Sequence, residues 1–264
     1  MTYCLGIMTH EGLVMASDSR TNAGYDQVNV CRKMYTFVQP GERALVVLTS
    51  GSLSITQSVM TLLRRDFEQG RGLAATPSLY DATRVIGEQV HRVADIDREA
   101  LERDEYKFNI HLLLGGQIKG EPPNLYLIYP QGNPLAATEE SPYLQIGECK
   151  YGRPILDRGI RYNRTTLAEA AKYALISIDS TMRSNVTVGP PIDMLQYYAG
   201  EFQVTRRRQL RSTDPDLLDV HMRWETALRK AVQELPSIRF DEAANQPELS
   251  SSNDFVKNAS DFQS

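Results

Sequence analysis

The apolar positions of this chain change period several times, and each change marks a block. TYCLGIM and LVMASDS are short apolar-rich runs separated by His10, Glu11 and Gly12, a pattern that predicts two strands joined by a tight turn. VCRKMYTFV and ALVVLTSG read as two further strands on either side of the turn QPGER. The chain therefore opens with roughly four short strands and no helix.

The period then lengthens. In SLSITQSVMTLLRRDFEQG, Ile55, Val59, Leu62 and Leu63 recur at helical spacing, and Gly70 can end the element. SLYDATRVIGEQVHRVADIDREALERD carries Ile86, Val90 and Val93 on one face, while its later turns are charged and read as solvated. Strand character returns in FNIHLLLGGQI, NLYLIYP and the short YLQIG. Thr166 with Glu169 forms a capping box ahead of LAEAAKYALISIDSTM. NVTVGPPIDMLQYY resumes strand character, and Asp214 with Pro215 opens a helix through LLDVHMRWETALRKAVQEL.

Strands, two helices, strands, one or two helices, strands and a last helix make segregated runs. Such runs predict an α+β chain with helices packed outside antiparallel sheets rather than a parallel βαβ array. No repeat, low-complexity block or linker interrupts residues 1–236, so one domain is expected over 1–240, followed by a polar, aromatic-poor tail over 241–264.

Composition narrows the function classes. With 41% hydrophobic and 23% charged residues among 264, the chain has the balance of a globular protein. A net charge of -4 and a pI near 5.7 give no global attraction to nucleic acid or anionic lipid. No basic segment leads into a long apolar run, and nothing approaches the roughly 18 apolar residues of a membrane span, so the expected setting is cytoplasmic with no membrane partner. Cys4, Cys31 and Cys149 are far apart and lack metal-site spacing, and read as small buried hydrophobes. His10, His91, His111 and His221 show no ligand spacing either, so no metal or other cofactor is called for. Arg206 to Arg208 with Arg211 read as a solvated or subunit-contacting face, not a nucleic-acid site.

One position carries candidate chemistry. Thr2 follows the initiator Met1, and a threonine exposed at an N-terminus brings its own general base, because the freed α-amine reaches its own hydroxyl. Such a nucleophile needs a nearby cation to favour the neutral amine and the alkoxide, a carboxylate to hold that cation, and backbone N–H groups aimed at the oxyanion.

Thr2, Asp18 within ASDSR, Lys33 within CRKMYTF and LTSGS around Gly51 are similar in type and spacing to the catalytic strands of proteasome β-type subunits, which are N-terminal nucleophile hydrolases. Within that superfamily, TYCLGI…GLVMASDSRTNAG…RKM most resembles the bacterial ancestral β-subunit branch, Anbu. The resemblance covers residues 2–235 and implies two antiparallel sheets sandwiched between helical layers, the four-layer α-β-β-α arrangement.

The resemblance also implies roles. Thr2 would be the nucleophile after methionine aminopeptidase removes Met1, Lys33 would stabilise its oxygen, and Asp18 would fix Lys33 and the Thr2 backbone. The Gly51 N–H would serve the oxyanion, and Ser184 in RSNV would be the supporting serine. A peptide would add as a strand between Arg20 and Thr21 on one side and Gly51, Ser52 and Leu53 on the other, with Thr49 and Leu53 shaping a mid-sized, neutral first pocket. The family pattern is departed from at two places: Glu148 and Cys149 stand where a Ser-Gly is usual, and Thr181 stands where an Asp is usual. Both departures weaken the network around the N-terminus.

The implied activity is a threonine peptidase or amidase assembled from identical subunits in a ring or an open helical turn. Alternatives are a catalytically silent assembly subunit or scaffold, and a hydrolase of non-protein amides or isopeptides. No unfoldase partner can be inferred.

Overall fold

The structure is a computed structural model that describes residues 2–22 and 28–240. The polar tail expected over 241–264 and Met1 lie outside the described residues. In chain order the elements are β1 Tyr3–Thr9, β2 Gly12–Asp18, β3 Arg20–Asn22, β4 Val28–Val30, β5 Met34–Gln39, β6 Arg43–Gly51, α1 Leu53–Glu68, α2 Leu79–Arg103, β7 Ile110–Ile118, β8 Asn124–Ile128, β9 Pro134–Ala136, β10 Tyr143–Gly147, α3 Arg153–Gly159, α4 Leu167–Ser184, β11 Ile192–Tyr198, β12 Arg206–Leu210 and α5 Pro215–Glu234. A short 3-10 turn at Gly72–Ala74 precedes α2.

Two five-stranded sheets form the centre, ordered β10-β1-β2-β11-β12 and β5-β6-β7-β8-β9, and every pairing within them is antiparallel. Strand alternation gives each sheet two buried faces. Leu45 and Val47 of β6 pack against Ile55, Val59 and Leu63 of α1 and Ile86 and Val90 of α2. Tyr3, Leu5 and Ile7 of β1 pack against Ala170, Ala174 and Ile178 of α4. The opposite faces meet each other through Cys4, Met8, Met15, Val46, Leu48 and Leu113. The result is the expected sequence of layers, helix, sheet, sheet, helix. It also explains why β1 and β2 are buried at every position and read as continuous apolar runs.

Several elements differ from the sequence reading. Six strands, not about four, precede α1. VCRKMYTFV does not form one strand: β4 ends at Val30, β5 starts at Met34, and residues 31–33 lie between them. Strand β11 begins only at Ile192, because Pro190 and Pro191 precede it and cannot donate to a ladder. Helix α3, with Pro154 in its first turn, and the edge strand β12, with Arg206, Arg207 and Arg208 exposed, had no distinct apolar period. The capping box forms as expected, with the Thr166 hydroxyl accepting from the Glu169 N–H. Asp214 caps α5 by accepting from the Asp216 N–H at 3.0 Å.

The packing groups the described residues into two units, one running to Thr226 and one beginning at Ala227. In the second, the last turns of α5 expose Leu228 and Val232 and pair Lys230 with Glu234.

Candidate active site

The start of β1 and the ends of β2 and β10 meet at Thr2. Gly147 closes β10 at φ +86°, and a side chain there would put a Cβ 1.9 Å from the Thr2 carbonyl oxygen. Only glycine accommodates both constraints. The chain then turns so that the Glu148 N–H donates to that carbonyl at 2.7 Å.

The next residue anchors the strand. Its N–H donates to Asp18 Oδ1 at 3.0 Å, and the fully buried Tyr3 ring runs beneath α4, where its hydroxyl meets Ser177 Oγ at 2.6 Å and also Gln145. Ser177 in turn donates to the Gly152 carbonyl at 3.0 Å. Burial pushes the Tyr3 phenol far above its ordinary value, so it stays protonated.

Asp18 ends β2 with its carboxylate sealed from water. Lys33 Nζ lies 2.7 Å from Oδ1 and donates to the Arg20 carbonyl at 2.6 Å, and Oδ2 accepts from the Gly189 N–H at 3.3 Å. Burial pushes the Asp18 carboxyl above its ordinary value, while Lys33 and the Tyr3 and Gly189 N–H groups pull it back. Bringing Lys33 inward to this carboxylate breaks the expected long strand: its carbonyl takes the Thr49 N–H at 2.9 Å, and the Cys31 N–H goes to the Ser19 carbonyl at 2.8 Å.

Thr2, Thr21, Lys33, Thr49, Gly51 and Leu53 line one narrow cleft of about 20 Å³, with Cys31, Arg32, Ser50 and Thr56 completing its wall. Gly51 sits at φ +115°, where a Cβ would fall 2.3 Å from the Asn109 carbonyl oxygen. It is therefore pressed against the neighbouring strand at the cleft floor. Cys31 is half-buried and its thiol is shifted upward by burial, so it enters the wall as a neutral group.

Three expected site residues stand elsewhere. Arg20 contributes its carbonyl to Lys33, but its guanidinium turns to the 186–189 segment, donating to the Val186 carbonyl at 2.6 Å. Ser52 bonds the Asn109 carbonyl through its N–H at 2.9 Å and Ser54 through its hydroxyl at 3.1 Å, and is not among the residues lining the cleft. Ser184 is the exposed last residue of α4 and does not line the cleft either. Thr181 is buried and donates its hydroxyl to the Ser177 carbonyl at 2.9 Å within its own helix.

Asn185, beside Ser184, is the contact that the sequence reading missed. Its Nδ2 donates to Glu148 Oε2 at 3.0 Å, and its Oδ1 accepts from the Thr187 N–H at 3.0 Å and hydroxyl at 2.6 Å. The only signal for it was the carboxylate at Glu148, which reads as a departure rather than as half of a pair.

Two facing antiparallel sheets between helical layers, with a threonine at the mouth of the first strand and a buried aspartate–lysine pair behind it, define the proteasome β-subunit type of N-terminal nucleophile architecture. Comparison with solved structures specifies it further. The chain is 41% identical to an Anbu Gly-1 mutant from Hyphomicrobium sp. strain MC1, covering 91% of this chain and 100% of that one at a TM-score of 0.85. It is 43% identical to Anbu, the ancestral β-subunit, from Yersinia bercovieri, covering 90% and 100% at a TM-score of 0.84. It is 42% identical to the subunit in a helical assembly of the Anbu complex from Pseudomonas aeruginosa, covering 90% and 98% at a TM-score of 0.85. The chain belongs to the Anbu family. No protein-family model matches it, and no curated protein does.

Proposed function

We propose that the chain is an N-terminal threonine hydrolase of peptide or other amide bonds, active once Met1 is removed. The observation that supports it best is the buried Asp18–Lys33 pair, which shares an oxygen of Asp18 with the Tyr3 N–H and so ties the cation to the backbone beside Thr2. A buried ion pair of this kind costs desolvation and is weak evidence of a purely structural role.

In this reading the Thr2 hydroxyl attacks the amide carbon while its proton passes to the neutral α-amine. Lys33 lowers the cost of the developing alkoxide, and the Gly51 N–H receives the oxyanion. Collapse breaks the carbon–nitrogen bond, the departing nitrogen takes the proton from the ammonium, and an ester remains on Thr2. Water, deprotonated by the same amine, attacks that ester and restores the threonine. Substrate lies as a strand between Thr21 and the Gly51 to Leu53 edge. Its first side chain enters a cleft walled by neutral Thr49, Cys31 and Leu53.

The proposal extends to assembly: identical subunits associate, as in the helical Anbu assembly from Pseudomonas aeruginosa. Among the described residues no helix is long and apolar enough to cross a membrane. A cytoplasmic setting completes the reading.

A β-lactone probe with intact-mass detection tests it. Wild type lacking Met1 is expected to gain one adduct on Thr2, and Thr2→Ala none. Equal labelling of Thr2→Ala, or an unlabelled wild type, overturns it.

A further inference from the structure

Removal of Met1 creates a charge that the site must accommodate. An α-amine has an ordinary pKa of roughly 8, so at neutral pH it is largely an ammonium, and in the reaction it becomes one each time it takes the hydroxyl proton. An ammonium at a half-buried position requires an anionic or accepting partner.

Asp18 is already occupied. Its Oδ1 serves both Lys33 and the Tyr3 N–H, and its Oδ2 serves the Gly189 N–H. The thiols near the site are neutral at pH 7: burial first and then Glu148 push Cys149 up to about 11, and burial raises Cys31. Lys33 and Arg32 bring donors rather than acceptors to the cleft. Glu148 differs from all of these. Its own N–H holds the Thr2 carbonyl at 2.7 Å, and its side chain is only 11% exposed. Asn185 fixes Oε2 at 3.0 Å, and among the described residues Oε1 has the exposed Lys150 beside it, at 3.8 Å. An exposed pair at that separation is weak.

Resting on the reading of Thr2 as nucleophile, we propose that Glu148, aimed by Asn185, is the positioning residue for the freed α-amine, holding the ammonium formed when Thr2 gives up its hydroxyl proton. The carboxylate at this position is then a replacement with its own chemistry. It strengthens the amine as a base, at the cost of keeping it protonated to higher pH. The proton moves from the Thr2 hydroxyl to the amine as the new carbon–oxygen bond forms, and leaves with the expelled nitrogen; Glu148 itself neither gains nor loses it.

The charged and titratable groups around Thr2 and Glu148 are Asp18, which takes the Tyr3 N–H, its partner Lys33, Cys31 and Arg32 on the cleft wall, and Cys149 and Lys150 next to Glu148. All are retained in Glu148→Gln, and the glutamine oxygen still accepts from Asn185. The experiment measures the rate of Thr2 labelling by a β-lactone between pH 5 and pH 9, on full-length protein shown by intact mass to lack Met1. With the negative charge gone, the ammonium loses stabilisation. The acid limb of the profile is therefore expected to move down by about one pH unit, and the plateau rate to fall several-fold as the base weakens. Lys150→Met removes the competing cation from an exposed position and should move the limb the opposite way, by a few tenths of a pH unit.

A Glu148→Gln limb that stays in place or moves up overturns the inference. If that variant does not fold, an unmoved limb in Lys150→Met overturns it instead. A wild type that is never labelled on Thr2 sinks the underlying hydrolase reading, a separable result.

Discussion

The two walls that flank Thr2 are built on opposite principles. On one, Lys33 and Asp18 are sealed, with side-chain exposures of 4% and 0%, and every oxygen of the carboxylate has a fixed donor. On the other, Glu148 is joined to Asn185 and to a lysine that is 67% exposed, and the neighbouring end of α4 leaves Ser184 in solvent. A sealed pair constrains both members, since removing either strands the other's charge in a low dielectric, whereas a solvated network can exchange partners at small cost. The first wall is thus held by a sealed ion pair, and the second by a hydrogen bond to Asn185 and an ion pair that opens to solvent at Lys150. That contrast puts Glu148, a departure from the family pattern, on the open side and the sealed Asp18–Lys33 pair on the other.

The sharpest way to break this contrast is to unpair the sealed wall. Lys33→Met keeps the length and removes the cation, leaving Asp18 buried without its partner, and is expected to cost about 3–5 kcal/mol at neutral pH as well as Thr2 labelling. The sign with pH follows from Asp18, whose folded value is raised by burial even in the wild type and rises further without Lys33. A carboxyl raised on folding contributes stability that is fully present below its unfolded value near 3.9 and lost as pH rises through the folded one. Urea unfolding should therefore show the deficit of Lys33→Met shrinking toward pH 4 and growing toward pH 8. A deficit independent of pH would mean that the pair is not what holds this wall.

The open wall has one rigid point, and Gly147→Ala tests whether it matters as much. At φ +86° an alanine is strained, and its Cβ would meet backbone, the Thr2 carbonyl oxygen, at 1.9 Å. Neither atom can swing aside as a side chain would. The expected loss is about 2–4 kcal/mol, with Thr2 displaced and labelling strongly reduced. A variant that keeps wild-type labelling would show that the Glu148 N–H does not fix the nucleophile.

The same contrast governs what was legible in the sequence. Elements announced by local chemistry were readable: the β1–β2 turn at Gly12, the Thr166 and Glu169 box, and Asp214 with Pro215. Asp18 and Lys33 were singled out through the family resemblance rather than by any local signal, and the structure brings them to 2.7 Å. The CRK stretch was misread because a backbone diverted to deliver one side chain still looks apolar in period. Strand β12 hid behind three outward arginines on a sheet edge. The Glu148–Asn185 contact spans 37 positions between two loop-like ends, and no periodicity reports such a pair.

The smallest expected effect separates two neighbours at the end of α4. The family resemblance assigns the supporting role to Ser184, yet that residue is exposed, while Asn185 reaches Glu148 and also caps the Thr187 turn. Ser184→Ala should therefore stay within about 0.5 kcal/mol of wild type and label at the wild-type rate. Asn185→Ala removes a hydrogen bond to a carboxylate at a half-buried position and should cost about 1 kcal/mol, with slower labelling because Glu148 is no longer aimed. Urea midpoints and labelling rates measured side by side decide between them. If Ser184→Ala is the slower of the two, support for the N-terminus runs through the serine, and the open wall works as the family pattern has it; the opposite order moves that support one residue on, to the side chain that holds Glu148 Oε2.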